Sequence, residues 1–147
     1  MKKYIFITLV LFSLNACSSI QGKYDYIPIG PQDLSVQVKD GKDLPVFTSV
    51  KQITRPWANI GIQRIKNLPN DPKVIEASVL RLQNFAASRG ADALLIKQYF
   101  DEDNTNRHPV TLATNIVKYL DNTDEEDSKK IIKFAQTAAL MEGNNDR

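Results

Sequence analysis

The chain has 147 residues, 19 Lys and Arg against 17 Asp and Glu, 42% hydrophobic residues, one Cys and one His. That is too apolar for a disordered chain and too balanced in charge for a general nucleic-acid binder, so one globular domain is expected. A single Cys excludes an intrachain disulfide, and with a single His it excludes a Cys/His zinc site, so the core must hold the fold unaided.

Met1-Lys2-Lys3 precede an apolar block from Tyr4 to Leu14, followed by Asn15-Ala16-Cys17. A cationic start, a short apolar stretch and small residues before a break are the parts of a secretory signal peptide. Eleven helical residues rise about 16 Å, half of the ~30 Å hydrocarbon layer, so residues 1–16 are expected to be a cleaved leader and not a spanning helix. Leu14-Asn15-Ala16-Cys17 resembles the lipobox of bacterial lipoproteins. Leu14 suits an apolar protease subsite, Ala16 is small beside the cut, and the Cys17 thiol is the nucleophile that takes the diacylglycerol. Asn15 departs from the small or apolar residue usual at that place. The resemblance implies lipidation at Cys17, with acyl chains such as palmitate. Two or more chains make a stable anchor at about 0.8 kcal/mol per buried methylene. Ser18 stands where Asp is the inner-membrane retention signal, so the implied address is the periplasmic side of the outer membrane. Without Lys2 and Lys3 the mature chain has 17 basic and 17 acidic side chains. The slight basicity therefore belongs to the leader, and no nucleic-acid partner is expected.

Residues 17–33 read as the lipid anchor and a tether, with two Pro, two Gly and no consistent period between Ser18 and Asp33. Sixteen residues extend to about 55 Å, enough to hold a domain clear of the bilayer. Tyr24, Tyr26, Ile27 and Ile29 either pack on the domain as an extended arm or lie at the lipid interface, and packing is favoured. The domain is expected over residues 34–147. Leu34 to Val38 alternates like a half-buried strand, Asp40-Gly41 signals a tight turn, and Pro45 to Val50 suits a second strand. Trp57 to Ile65 predicts a strand in which Gly61 marks a bulge or a close approach.

Between Asn70 and Gly90 the spacing of Ile75, Val79, Leu82 and Ala86 predicts an amphipathic helix, capped by Asn70 or Asp71, with Pro72 in its first turn and Gly90 as its stop. Ala91 to Phe100 is almost continuously apolar, as in a strand buried on both faces or central in its sheet. Asp101 to His108 reads as a polar loop, and Pro109 to Leu120 as an antiparallel strand with Val110, Leu112, Thr114, Ile116 and Lys118 on one side. Thr123 to Glu126 matches a capping box before a last helix to about Met141, whose apolar stripe is thin. The pattern is α+β, a small mainly antiparallel sheet with two helices packed on one face.

Two fragments also carry a resemblance. A strand behind Arg55-Pro56-Trp57, with Ile60-Gly61, accompanies a helix ending Ala86-Ala87, a break, and Gly90-Ala91-Asp92-Ala93 leading into an apolar strand. This arrangement, over about residues 46–100, is similar to the Rcs stress-sensor lipoproteins and YbjQ-like domains. It implies their fold and an envelope-stress role. Disulfides staple the Rcs sensor domain, and this chain departs from it in having no cysteine available for one.

Candidate sites are few. His108 has no evident nucleophile to activate and reads as a loop residue. Asp101, Asp103 and Thr105 imitate a calcium loop, but Asn106 and Leu112 occupy the places that need Gly and a bidentate acid. Asp124 to Asp127 reads as an acidic helix start. Asp92 is expected to satisfy turn amides. Arg55 and Trp57 are the candidate interaction residues, since indole and guanidinium groups anchor protein interfaces. The alternative, which is favoured, has Trp57 covering the core while Arg55 snorkels or pairs with an acid. No catalytic residue, metal site or cofactor is predicted. The expected role is a non-enzymatic lipoprotein, membrane-bound through its anchor and partnered by an envelope protein. The alternatives are a ligand binder or enzyme with Asp92, His108 or Arg55 at the mouth of a sheet–helix pocket, and a structural envelope-assembly factor.

Overall fold

The computed structural model describes residues 23–35, 39–100 and 109–142. Its strands are β1 (Lys23–Pro28), β2 (Val46–Phe47), β3 (Trp57–Leu68), β4 (Ala93–Phe100) and β5 (Val110–Tyr119), and its helices are α1 (Pro72–Ser88) and α2 (Glu125–Glu142). They form one five-stranded sheet in the order β1-β3-β5-β4-β2, antiparallel except where β2 runs parallel to β4. This is the expected α+β class. Among the described residues, no helix is long and apolar enough to cross a membrane.

Alternation along β5 drives the layering. Val110, Leu112, Thr114, Ile116 and Lys118 are all buried and point to the helix side. There Leu112 and Ile116 join Ile65, Leu94, Leu82 and Ala86 in the main core. Completely burying a Leu or Ile contributes roughly 2 kcal/mol, so this layer dominates stability. Asp71 caps α1 by accepting from the Lys73 and Val74 amides, and Gly90 follows the helix with φ 77°, a left-handed conformation that favours glycine. Ala93 to Ile96 are buried, and the rest of β4 is exposed.

Three expectations are corrected. The segment assigned to the tether contributes a sheet strand, although its tyrosines pack on the domain as favoured. Lys23–Pro28 pairs with β3, and Tyr24 and Tyr26 pack edge-on against Phe85 with ring centroids 5.6 and 4.9 Å apart. Gly61 sits at a bulge in β3, and a Cβ there would lie 2.8 Å from the Tyr26 ring, so the strand gives way to an aromatic side chain. The folded domain thus begins well before Leu34, which leaves five residues between Cys17 and β1. Second, Leu34 is buried but belongs to no strand, because the Ser35 amide donates to Asp127 Oδ2 at 2.7 Å instead of to a sheet partner; residues 36–38 lie outside the described residues. Third, Thr123 does not cap α2. Asp124 does, accepting from the Asp127 amide at 2.8 Å, while the Thr123 hydroxyl donates to the Tyr119 carbonyl.

The remaining connections are short. Asp40 caps a 3-10 turn at Gly41–Asp43, and the Pro45–Val50 stretch yields only the two-residue β2 before a second such turn at Val50–Gln52. α2 docks through Ile131 and Asp127 while Ile132 and Phe134 stay exposed. Burial pushes the Asp127 carboxyl up, but the Ser35 amide and the Lys130 ammonium outweigh it and hold the group below the usual carboxylate range.

Two outcomes are expected. Gly41 lies flat on α1, and a Cβ added to it would fall 2.6 Å from the Asn84 backbone, so Gly41→Ala should cost about 2 kcal/mol in urea unfolding. The folded Asp127 carboxyl titrates lower than the unfolded one, so its contribution is complete above about pH 4 and is lost as the pH falls through the folded value. Thermal melts should therefore show a Tm that drops in acid less steeply for Asp127→Asn than for the parent chain.

Candidate functional site

The helix-to-strand turn delivers Asp92 into the interior, where it is 6% exposed. Its amide donates to the Val117 carbonyl at 2.8 Å. Its carboxylate takes the Tyr119 amide on Oδ2 at 2.9 Å and the Lys39 ammonium on Oδ1 at 2.5 Å. Lys118 Nζ lies 3.5 Å from Oδ2 and also donates to the Gly90 carbonyl at 2.9 Å. A lone buried carboxylate is expensive, and two ammonium groups with a backbone amide offset that cost. With both oxygens engaged, Asp92 holds the turn against β5; its carboxylate takes the amide of a residue on β5 and two ammonium groups, not the turn amides expected of it.

The same network reaches the surface through Tyr119. Arg55 stacks its guanidinium 4.1 Å above the Tyr119 ring and donates Nε and Nη2 to the two Asp121 carboxylate oxygens at 3.0 and 2.7 Å. That hydrogen bonding, opposed by some burial, holds the Asp121 carboxyl below its ordinary range. Trp57 faces Tyr119 in register and, half-buried with Phe47 and Ile53, covers Ala93, Leu95 and Val117 on the sheet face away from the helices. The structure thus brings Arg55 and Trp57 together around Tyr119. Trp57 covers an apolar cluster while Arg55 pairs with the acid Asp121, the arrangement of the favoured expectation.

Cys17, His108, Asp101, Asp103 and Thr105 lie outside the described residues. Asp124 and Asp127 serve the first turn of α2, and among the described residues no group of three or more His, Cys, Asp and Glu side chains is placed to hold a metal. Neither Asp92 nor Arg55 lines a cavity of about 550 Å³ on the helix-free face over β3, β5 and β4. Sequence reasoning missed Lys39, Lys118, Tyr119 and Asp121 as partners of the candidate residues. One signal was present: Lys118 occupies the apolar register of β5, where an ammonium needs a counter-charge.

Removing one member of the buried set should be far costlier than removing the surface pair. Asp92→Ala strands the Lys118 ammonium and is expected to lose about 3 kcal/mol, whereas Arg55→Ala, at a solvent-exposed bridge, should barely move the midpoint of the same urea titration.

No family model matches the chain, and no curated protein sequence matches it. Among solved structures, the crystal structure of a Francisella virulence factor, FvfA, in its orthorhombic form is similar with a TM-score of 0.46 and 16% sequence identity, over 66% of this chain and 97% of that one.

Proposed function

We propose that this chain is a lipoprotein of the outer membrane, anchored on the periplasmic side through Cys17, whose α+β domain is a protein-interaction module of the envelope-stress-sensing kind and not an enzyme. The observation that carries the reading is Leu14-Asn15-Ala16-Cys17 directly behind a cationic start and a short apolar block. The arrangement of the domain supports it. β1 starts at the end of the sheet where β3 finishes, whereas Trp57 begins β3 at the other end beside Tyr119. A chain anchored before β1 therefore presents Arg55 and Trp57 away from the bilayer, along a β5 of ten residues that spans about 30 Å. Asp92, the acid that would serve an enzymatic reading, is committed to Lys39, Lys118 and the Tyr119 amide.

Two measurements test this. Cys17→Ala should abolish palmitate labelling and leave the leader uncleaved, and normal maturation of that variant would overturn the anchor. A photocrosslinking residue at Trp57 should capture an envelope protein in intact cells, with Arg55→Glu reducing capture several-fold; equal capture from a site on the exposed face of α1 would overturn the interaction surface.

A further inference from the structure

On the helix-free face the three long strands line up in rows. Ile62, Asn115 and Leu95 form one row, and Arg64, Ala113 and Lys97 the next, with Thr111 and Tyr99 beyond them. In the rows of Ala113 and Thr111 β5 carries the shorter side chain, so these residues make a floor and those of β3 and β4 make walls. This is the cavity of about 550 Å³, and Lys66 lines its far end. Arg64 and Lys97 flank the methyl group of Ala113 from adjacent strands, their Cα atoms about 10 Å apart, which leaves an oxyanion above Ala113 within reach of both. Among the described residues neither is within salt-bridge distance of an acid, although Asp25 on β1 stands opposite Arg64 in register. Lys66 bonds to Asp25 at 3.0 Å, and Lys23 sits beside Lys66 in register, so among the described residues this face carries four cations against that one acid on β1.

The position of the trough matters as much as its charge. Lys23, Lys66, Phe100 and Val110 mark one end of the sheet. With five residues between Cys17 and Lys23, that end lies within about 20 Å of the acylated residue. Tyr99 on the trough face, and Phe100 on the opposite face beside Val110, are 50% and 54% exposed at that end. Cations beside exposed aromatic rings suit the boundary between water and an anionic leaflet. Without Lys2 and Lys3 the expected mature chain balances 17 basic against 17 acidic side chains, and a local concentration of cations on one face is compatible with that.

We propose that the trough holds the phosphodiester headgroup of an anionic phospholipid from the leaflet that carries the anchor, with Arg64 and Lys97 on the phosphate and Tyr99 and Phe100 at the interface. This rests on the lipid-anchor reading. The tether favours a lipid over a soluble ligand, since it keeps headgroups at high effective concentration near the trough.

The test is flotation of the full-length chain, purified from membranes in detergent, with vesicles of phosphatidylcholine alone or containing phosphatidylglycerol. The parent chain should prefer the anionic vesicles, and Arg64→Glu with Lys97→Glu should reduce that preference by about tenfold or more while leaving retention on neutral vesicles unchanged. Arg64→Gln with Lys97→Gln, a gentler pair, should reduce it in the same direction if the reversed charges disturb folding. An undiminished preference in both variants overturns the proposal. So does a preference abolished by millimolar inorganic phosphate at fixed ionic strength, which would assign the trough to free phosphate. Failure of the anchor reading looks different: retention on neutral vesicles is then absent in parent and variants alike, while any preference for anionic vesicles still reports the trough.

Discussion

A carboxylate sealed inside the protein organises this domain. Asp92 gathers Lys39 from the stretch before β2, Lys118 from β5, and the backbone amide of Tyr119 where β5 ends. It sits two residues after a glycine that must adopt a left-handed conformation to turn α1 into β4. Three parts of the chain that are distant in sequence therefore meet at one charge. An apolar residue in its place would pack without any preference for those partners, whereas an unpaired charge would be intolerable, so the network favours one arrangement of turn, sheet and connecting stretch over its neighbours.

That fixed turn gives the sheet two dissimilar ends. Next to Asp92, Tyr119 offers its ring to Arg55 and its register partner Trp57, over a small apolar cluster on the helix-free face. At the opposite end β1 enters the sheet, the walls of the trough become cationic, and two aromatic rings are exposed. β5 runs between them as the floor of the trough and the roof of the core. A long central strand thus separates the surface proposed for a protein partner from the trough proposed for headgroups.

The sequence was most legible where local chemistry and burial agree. α1 announced itself through Asp71, Pro72 and Gly90, and β5 through a strict alternation that remains buried on one side. β1 was harder to read. It is an edge strand ending at Pro28, where a proline is tolerated, and its tyrosines serve a helix face contributed by Phe85, far along the chain. Leu34 was correctly apolar yet misleading in its periodicity, because an aspartate on α2 takes the Ser35 amide that a neighbouring strand would have taken. At the candidate site, residue types were readable and partners were not. Arg55 called for an acid, but nothing local identified Asp121. The trough escaped notice because each wall alone is an ordinary exposed side of a strand, and only the registry across β3, β5 and β4 puts Arg64 and Lys97 on either side of Ala113.

The most direct test of the organising role of Asp92 is native-state hydrogen exchange at the Tyr119 amide, which donates to that carboxylate. It should exchange only through global unfolding, with the same denaturant dependence as amides at the centre of β5. Exchange at the rate of the exposed turn that follows, insensitive to the stability of the sheet, would contradict the account.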